Sequence, residues 1–226
     1  MTPPISIDNT DITGATIDGT DVTEITVDGD VVFSAEAIIE DFETGNLNSY
    51  TITDSGFAAS TNNPFEGSFC IETGGTSSII TSNPPSGIVP SFGTDFEWYT
   101  RGGLSSNSAL QFESSGALSE FGFYDGYTII LDFAGDDLRY NRAISGDLDG
   151  GGGSVTSNNL NLVSQRWYNI QVTFSGTDIT MEVIDTTNNN SLGSITGSQY
   201  NSPGNDLAFV KTRSADTIAI DLVQEI

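Results

Sequence analysis

The side chains able to do chemistry are few in kind. There is no histidine, which removes Ser-His-Asp and Cys-His nucleophile systems, HExxH zinc sites and imidazole acid-base catalysis. Cys70 is the one thiol; within Phe69-Cys70-Ile71 it reads as a small core residue without a disulfide partner in the chain. Carboxylates remain: 31 Asp and Glu against 6 Lys and Arg, a formal charge of −25. Asp136-Asp137 and Asp147-x-Asp149 lie in glycine-rich stretches and suit cations, yet neither has the alternating acids closed by a distant Glu of an EF-hand loop. The other available chemistry is recognition of a sugar, which takes an aromatic ring for the C–H face and amide or carboxylate neighbours for the hydroxyls. Tyr124-Asp125-Gly126-Tyr127 sets two tyrosines beside a turn, Arg139 and Arg142 bracket Tyr140-Asn141, and Trp98-Tyr99 with Arg101 forms a further aromatic run. Tyr124, Asp125, Tyr127, Arg139 and Arg142 are the ligand-contacting residues this reading selects. Each aromatic competes with a plain role in core or rim packing, Trp167 above all.

Charge bounds the partners. Five Arg and one Lys among 31 acids build no basic face, so nucleic acid is excluded and anionic membrane surfaces are repelled. Neither an 18-residue apolar run nor a basic-then-apolar leader occurs, so neither membrane insertion nor a cleavable export signal is expected. Asp outnumbers Glu by 20 to 11 and Lys211 is the sole lysine. That surface suits high salt, where screening removes self-repulsion, and points first to a halophilic source, with a low-salt acidic protein that binds calcium or simply stays soluble as the alternative.

The elements that must position these groups are strands. Leu, Ile, Val and Phe number 58, enough for a core, and the polar remainder is Ser, Thr, Asn and Gly rather than helix-forming Glu and Lys. From Ile38 onward, alternating apolar runs recur between turn signals, as in a sandwich. Phe121 to Tyr124 and Tyr127 to Phe133 read as a hairpin about Asp125-Gly126. Tyr168, Ile170, Val172 and Phe174 share a face, Ser175 to Asp178 turn, and Ile179, Met181 and Val183 return. Ile218 to Val223 reads as a paired final strand, and Gly146 to Asn159 as a flexible connection.

Residues 5–33 follow a different rule. Ile7-Asp8-Asn9-Thr10-Asp11-Ile12, Ile17-Asp18-Gly19-Thr20-Asp21-Val22 and Val27-Asp28-Gly29-Asp30-Val31-Val32 repeat at a period of ten, each with a tight-turn pair between β-branched residues. Residues 1–36 carry eight acids and no base. So few large apolar groups need a partner surface: either the chain's own domain, or an assembly in which the repeats order and oligomerise. The division expected is 1–36, a β-repeat anchoring segment, and 37–226, the sandwich.

Three elements in fixed order resemble a family. Ile39-Glu40-Asp41-Phe42-Glu43-Thr44-Gly45-Asn46-Leu47-Asn48-Ser49-Tyr50 is similar to the opening of concanavalin A-like, laminin-G-like jelly rolls. Arg166 to Val172 with Ile179 to Val183 resembles their Trp-led hairpin, and Ile218 to Val223 their closing strand. The resemblance covers residues 38–226 and implies an all-β, antiparallel two-sheet jelly-roll sandwich, here preceded by the small N-terminal β-repeat segment. It also implies a calcium ion between first and last strands, for which Asp41, Glu43 and Asp221 are the matching positions, against a background of ordinary solvated acids. Glycan-hydrolysing relatives carry alternating carboxylates on one strand. Here Asp41 and Glu43 share a face, but Gly45 follows, and Glu182 and Asp185 fall on opposite faces, so no catalytic residue is assigned. The acidic leader ending in Glu24 to Phe33 resembles virion proteins of tailed viruses of halophilic archaea.

The protein expected is a noncatalytic virion structural component, a tail fibre, spike or capsid-vertex decoration on the particle surface, extracellular after release. It would bind other virion proteins through residues 1–36, form a homo-oligomer, and present a lectin-like sandwich to a host glycan or glycoprotein. No cofactor is required; calcium is the ion the resemblance implies. The rivals are a secreted or cell-surface carbohydrate-binding protein of a halophile, a glycoside hydrolase and a purely structural shell protein.

Overall fold

The computed structural model describes residues 16–17, 20–21, 24–27, 30–34, 37–52, 56–81, 93–114, 126–143, 155–198, 206–211 and 216–226. The chain divides into two compact units, Met1–Ala37 and Ile38–Ile226. In the first, β1 (Thr16–Ile17) pairs with β2 (Thr20–Asp21) and β3 (Glu24–Val27) with β4 (Asp30–Ser34), both antiparallel. These hairpins belong to the second and third repeats; the first repeat lies outside the described residues.

The second unit holds β5 (Ile38–Glu40), β6 (Thr51–Ile52), β7 (Ala58–Ser60), β8 (Cys70–Thr73), β9 (Ser77–Thr81), β10 (Phe96–Gly102) and β11 (Asn107–Ser114). There follow β12 (Gly126–Asp132), β13 (Asp137–Ala143), β14 (Val155–Asn158), β15 (Tyr168–Ser175), β16 (Asp178–Asp185), β17 (Asn190–Ser198), β18 (Asp206–Lys211) and β19 (Ile218–Glu225). One sheet runs β17-β16-β15-β10-β19-β8-β7, with β5 also on β19; the other runs β14-β13-β12-β11-β18-β9-β6. All described pairings are antiparallel, so the two-sheet all-β architecture expected from the alternation is the one observed.

Period-two patterning explains the core. Phe96 and Trp98 on β10 stand opposite Val172 and Ile170 on β15, which stand opposite Met181 and Val183 on β16. The second sheet contributes Leu110, Phe112, Tyr127, Ile129, Leu131, Leu138, Tyr140, Leu207 and Phe209 to the same buried cluster. Interdigitation of two such faces is what a sandwich core requires. The β15–β16 hairpin keeps the register Tyr168↔Asp185 to Ser175↔Asp178, as the alternation predicts.

Three expectations are revised or left outside. The described partners of β12 are β11 and β13, while residues 121–125, the outgoing arm of the proposed hairpin, lie outside the described residues. The Gly146–Asn159 stretch contains β14, paired with β13, so its C-terminal end is sheet rather than linker. The closing strand is central, paired with β10 on one side and with β8 and β5 in succession on the other.

Edges and ends are fitted closely. Gly197 on β17 sits against the Tyr140 ring of the opposite sheet, and a Cβ there would lie 2.3 Å from two ring carbons. Replacing Gly197 with Ala is expected to destabilise the unit by roughly 1–3 kcal/mol through overpacking, read as a lowered urea midpoint with unchanged slope. Lys211 at the end of β18 is 1% exposed; its Nζ donates to the carbonyls of Gly74 (3.2 Å) and Gly75 (3.1 Å), and burial holds its pKa below the ordinary lysine value.

Candidate functional site

Alternation along β10 sends Phe96 and Trp98 inward and Glu97, Tyr99 and Arg101 to the outer face. Glu97 is a hub: Oε1 accepts from Tyr99 Oη (2.7 Å) and Gln224 Nε2 (2.8 Å), and Oε2 from Asn169 Nδ2 (2.6 Å) and Gln171 Nε2 (3.1 Å). Phe65 stacks on Tyr99 at 3.9 Å between centroids and meets Trp167 edge-on at 6.0 Å. Arg101 lies 5.3 Å from the Trp167 ring centre and is tied to Glu72, Gln165 and the Asn62 carbonyl. The segments holding Phe65 and Trp167 therefore lie over this face, which is why every residue of β10 is buried.

Beside this layer the sheet has a gap. On one side β19 pairs with β8 through Ile218–Ile220 and with β5 at Val223 and Gln224, so Asp221 and Leu222 fall between the two partners. On the other side Trp98 pairs with Val223 and Tyr99 with Asp221, leaving Leu222 as a bulge residue at φ +29°. Bulges of this kind re-aim side chains and open a sheet locally. A hollow of ≈ 100 Å³ opens here, lined by Ile38, Asp41, Glu43, Glu66, Gly67, Asp221 and Leu222.

The loop over the hollow supplies its electrostatics. Phe65 N (2.8 Å) and Glu66 N (3.2 Å) donate to Asp221 Oδ2, and Leu222 N donates to Oδ1 (2.8 Å). Ser68 N (2.9 Å) and Phe69 N (2.8 Å) donate to Glu43 Oε1, and Glu43 N donates to Asp41 Oδ1 (3.0 Å). Gly67, at φ +58° between the donor pairs, admits Glu43: a Cβ there would lie 2.5 Å from its carboxylate. Burial pushes Asp221 up to about 6, against its three amide donors, with Glu43 adding repulsion.

The three positions matched to calcium are thus brought to one hollow. Their oxygens, however, are oriented by backbone N–H groups, and among the described residues no three acids come together in a way that could hold a metal ion. The residues present do not fit the ion. Asp136 likewise accepts from Asn161 N and Leu162 N, and Asp137 is bound to Arg139, so neither is available to a cation.

The ligand-contacting residues selected from sequence are not gathered. Tyr124 and Asp125 lie outside the described residues. Tyr127 is 1% exposed and stacked on Phe112 and Tyr140, so both faces of its ring serve the core and none is left for a sugar. That assignment is corrected: inward parity on β12, shared with Ile129 and Leu131, outweighs its nearness to a turn. Arg139 is held by Asp132 and Asp137, the hydrogen bonds to Asp137 raising its pKa further, and Arg142 lies on β13 opposite Tyr127. Glu66, Glu97, Asn169, Gln171 and Gln224 escaped selection. The parity of Glu97 and Tyr99 against Phe96 and Trp98 was a usable signal; the donor loop 65–69 left none.

No protein-family model matches the chain, and no curated protein matches it. Solved structures do. The exoplasmic/lumenal domain of VIP36 in its Ca2+-bound form is 15% identical, with 84% of this chain and 89% of that chain covered and a TM-score of 0.52. The legume lectin-like domain from Entamoeba histolytica is 11% identical, with 79% and 89% covered and a TM-score of 0.51. Lectin II from Ulex europaeus is 8% identical, with 79% and 92% covered and a TM-score of 0.51. At these identities the likeness shows the fold, a legume-lectin-like, concanavalin A-like sandwich.

Proposed function

We propose that the sandwich is a noncatalytic carbohydrate-binding module of a virion structural protein, displayed as a tail fibre, spike or capsid-vertex decoration that adheres to host-surface glycans. The observation that carries the binding half is the hollow at Leu222: apolar Ile38 and Leu222 beside carboxylates held in place by backbone amides. A pyranose presents a C–H face and hydroxyls together, and this pairing answers both. Among the described residues no hydrogen bond is made to Glu43 Oε2 or Asp41 Oδ2; these two oxygens suffice to accept from sugar hydroxyls and fall well short of the about six to eight ligands of calcium. A hollow of ≈ 100 Å³ takes the edge of one ring, so single-site affinity is weak and adhesion comes from many copies. The lectin-like fold supports this reading.

The absence of histidine supports a noncatalytic role, as does the saturation of Glu97 by four donors. The particle half is supported by the acidic repeat leader, whose eight acids and few large apolar groups call for a partner surface.

Full-length protein multimerised on beads is expected to bind host-envelope glycans, with free sugar competing. Ile38, 47% exposed, can be replaced by Ser with little change in stability, and Ile38→Ser is expected to weaken bead binding severalfold. Removing residues 1–36 from the chain is expected to abolish particle attachment. A multimer that binds no glycan, or that releases reducing sugar, overturns the binding half; attachment that survives the deletion moves the protein to the cell-surface reading.

A further inference from the structure

We infer that the junction of the first and last strands is closed by the backbone amides of residues 65–69 in the place a calcium ion would take, so that calcium has no part in holding Glu43 and Asp221 together. This goes beyond the adhesion reading and does not depend on it. Two carboxylates brought together under one loop repel, and something of opposite charge must compensate them. Calcium would do so with about six to eight oxygen ligands. Here the compensation is four N–H groups arriving in two pairs on either side of Gly67, Phe65 and Glu66 to Asp221 and Ser68 and Phe69 to Glu43, at 2.8–3.2 Å.

Successive backbone N–H groups turned to one side form a nest, an anion-binding geometry that presents positive dipole ends. A cation brought to the same oxygens would face those dipoles and would have to displace them. Asp221, 1% exposed, has a further donor on its second oxygen, so all its exchange would take place inside the protein. Gly67 has a positive φ and a Cβ built there would fall 2.5 Å from the Glu43 carboxylate, so the loop is seated directly on its acceptor.

The test is thermal unfolding of the full chain at one fixed high concentration of NaCl, with EDTA, with millimolar MgCl2 and with millimolar CaCl2. The three curves are expected to coincide. Glu43→Gln, which keeps a neutral acceptor, and Gly67→Ala are expected to lower Tm by several degrees, equally in all three conditions. A saturable rise with calcium over magnesium that Glu43→Gln or Asp221→Asn abolishes overturns the inference, as does a Glu43→Gln chain that melts like the parent in EDTA. A calcium effect that survives both substitutions places the ion elsewhere and leaves the amide closure standing. The readout involves no glycan, so its failure leaves the adhesion reading untouched.

Discussion

Replacing Arg101 with Ala is expected to cost about 3–5 kcal/mol of stability, the largest loss from any single charged side chain described. Its side chain is 5% exposed and that of its partner Glu72 17%, at 2.5 Å from Nη2 to Oε1. The same guanidinium donates to Gln165 Oε1 (2.5 Å) and the Asn62 carbonyl (2.6 Å), and lies over Trp167. Among the described residues, truncation leaves Glu72 the Ser60 hydroxyl and the Asn62 amide as donors, and it releases two segments that cover the outer face. Arg101→Met, which keeps the stem, separates packing from charge, and a cycle with Glu72→Gln measures the coupling of the pair. Arg101→Lys is expected to rescue only part of the loss, since one ammonium cannot reproduce a planar fork directed at three acceptors. Urea unfolding of the four single variants and of the double variant that closes the cycle checks each expectation; a loss below about 1 kcal/mol for Arg101→Ala would show the pair to be worth no more than a surface ion pair.

Glu40→Gln is expected to act in the opposite direction. Glu40 is 2% exposed on β5, with Phe42 N (2.8 Å) and the Tyr50 hydroxyl as donors. Burial raises its pKa from 4.5 to about 7, with the neighbouring Asp41 charge adding to the rise. Between those values the folded chain keeps a proton that the unfolded chain has lost. Stability from this group is therefore full below pH 4.5, falls as pH climbs towards 7 and is flat above. Asp221, raised from 3.8 to about 6, adds a fall of the same sign at lower pH. The amide removes the Glu40 penalty while keeping an acceptor for Phe42 N, so Glu40→Gln is expected to gain about 3 kcal/mol at pH 8 and nothing at pH 4. Unfolding midpoints across that range decide it: parallel profiles for parent and variant would place the titration elsewhere.

Fold and site were unequally legible in the sequence. Alternation in Tyr168 to Val183 and Ile218 to Val223 identified strands because one face of each is apolar, and burial selects that pattern directly. The site depends on what alternation does not encode. Leu222 is an extra residue in the register, visible only once β10 lies beside β19. The donors to Glu43 and Asp221 are main-chain amides, which every residue but proline owns, so no residue type announces them. Asp41, Glu43 and Asp221, the positions the resemblance matches to one ion, line one hollow, and the loop above it donates to Glu43 and Asp221. The turn before Tyr127 suggests a platform, yet its parity with Ile129 and Leu131 directs it inward.

The seating of Lys211 under the Gly74 and Gly75 carbonyls gives the protein an unusual reagent profile. As the sole lysine, it is the only side-chain amine that acylating labels or amine-directed crosslinkers could attack, and the folded unit withholds it. Acylation of Lys211 therefore requires the end of β18 to open. Its rate, followed by mass spectrometry of the peptide that holds Lys211, is a clock for that opening, with no second side-chain amine to confuse the count.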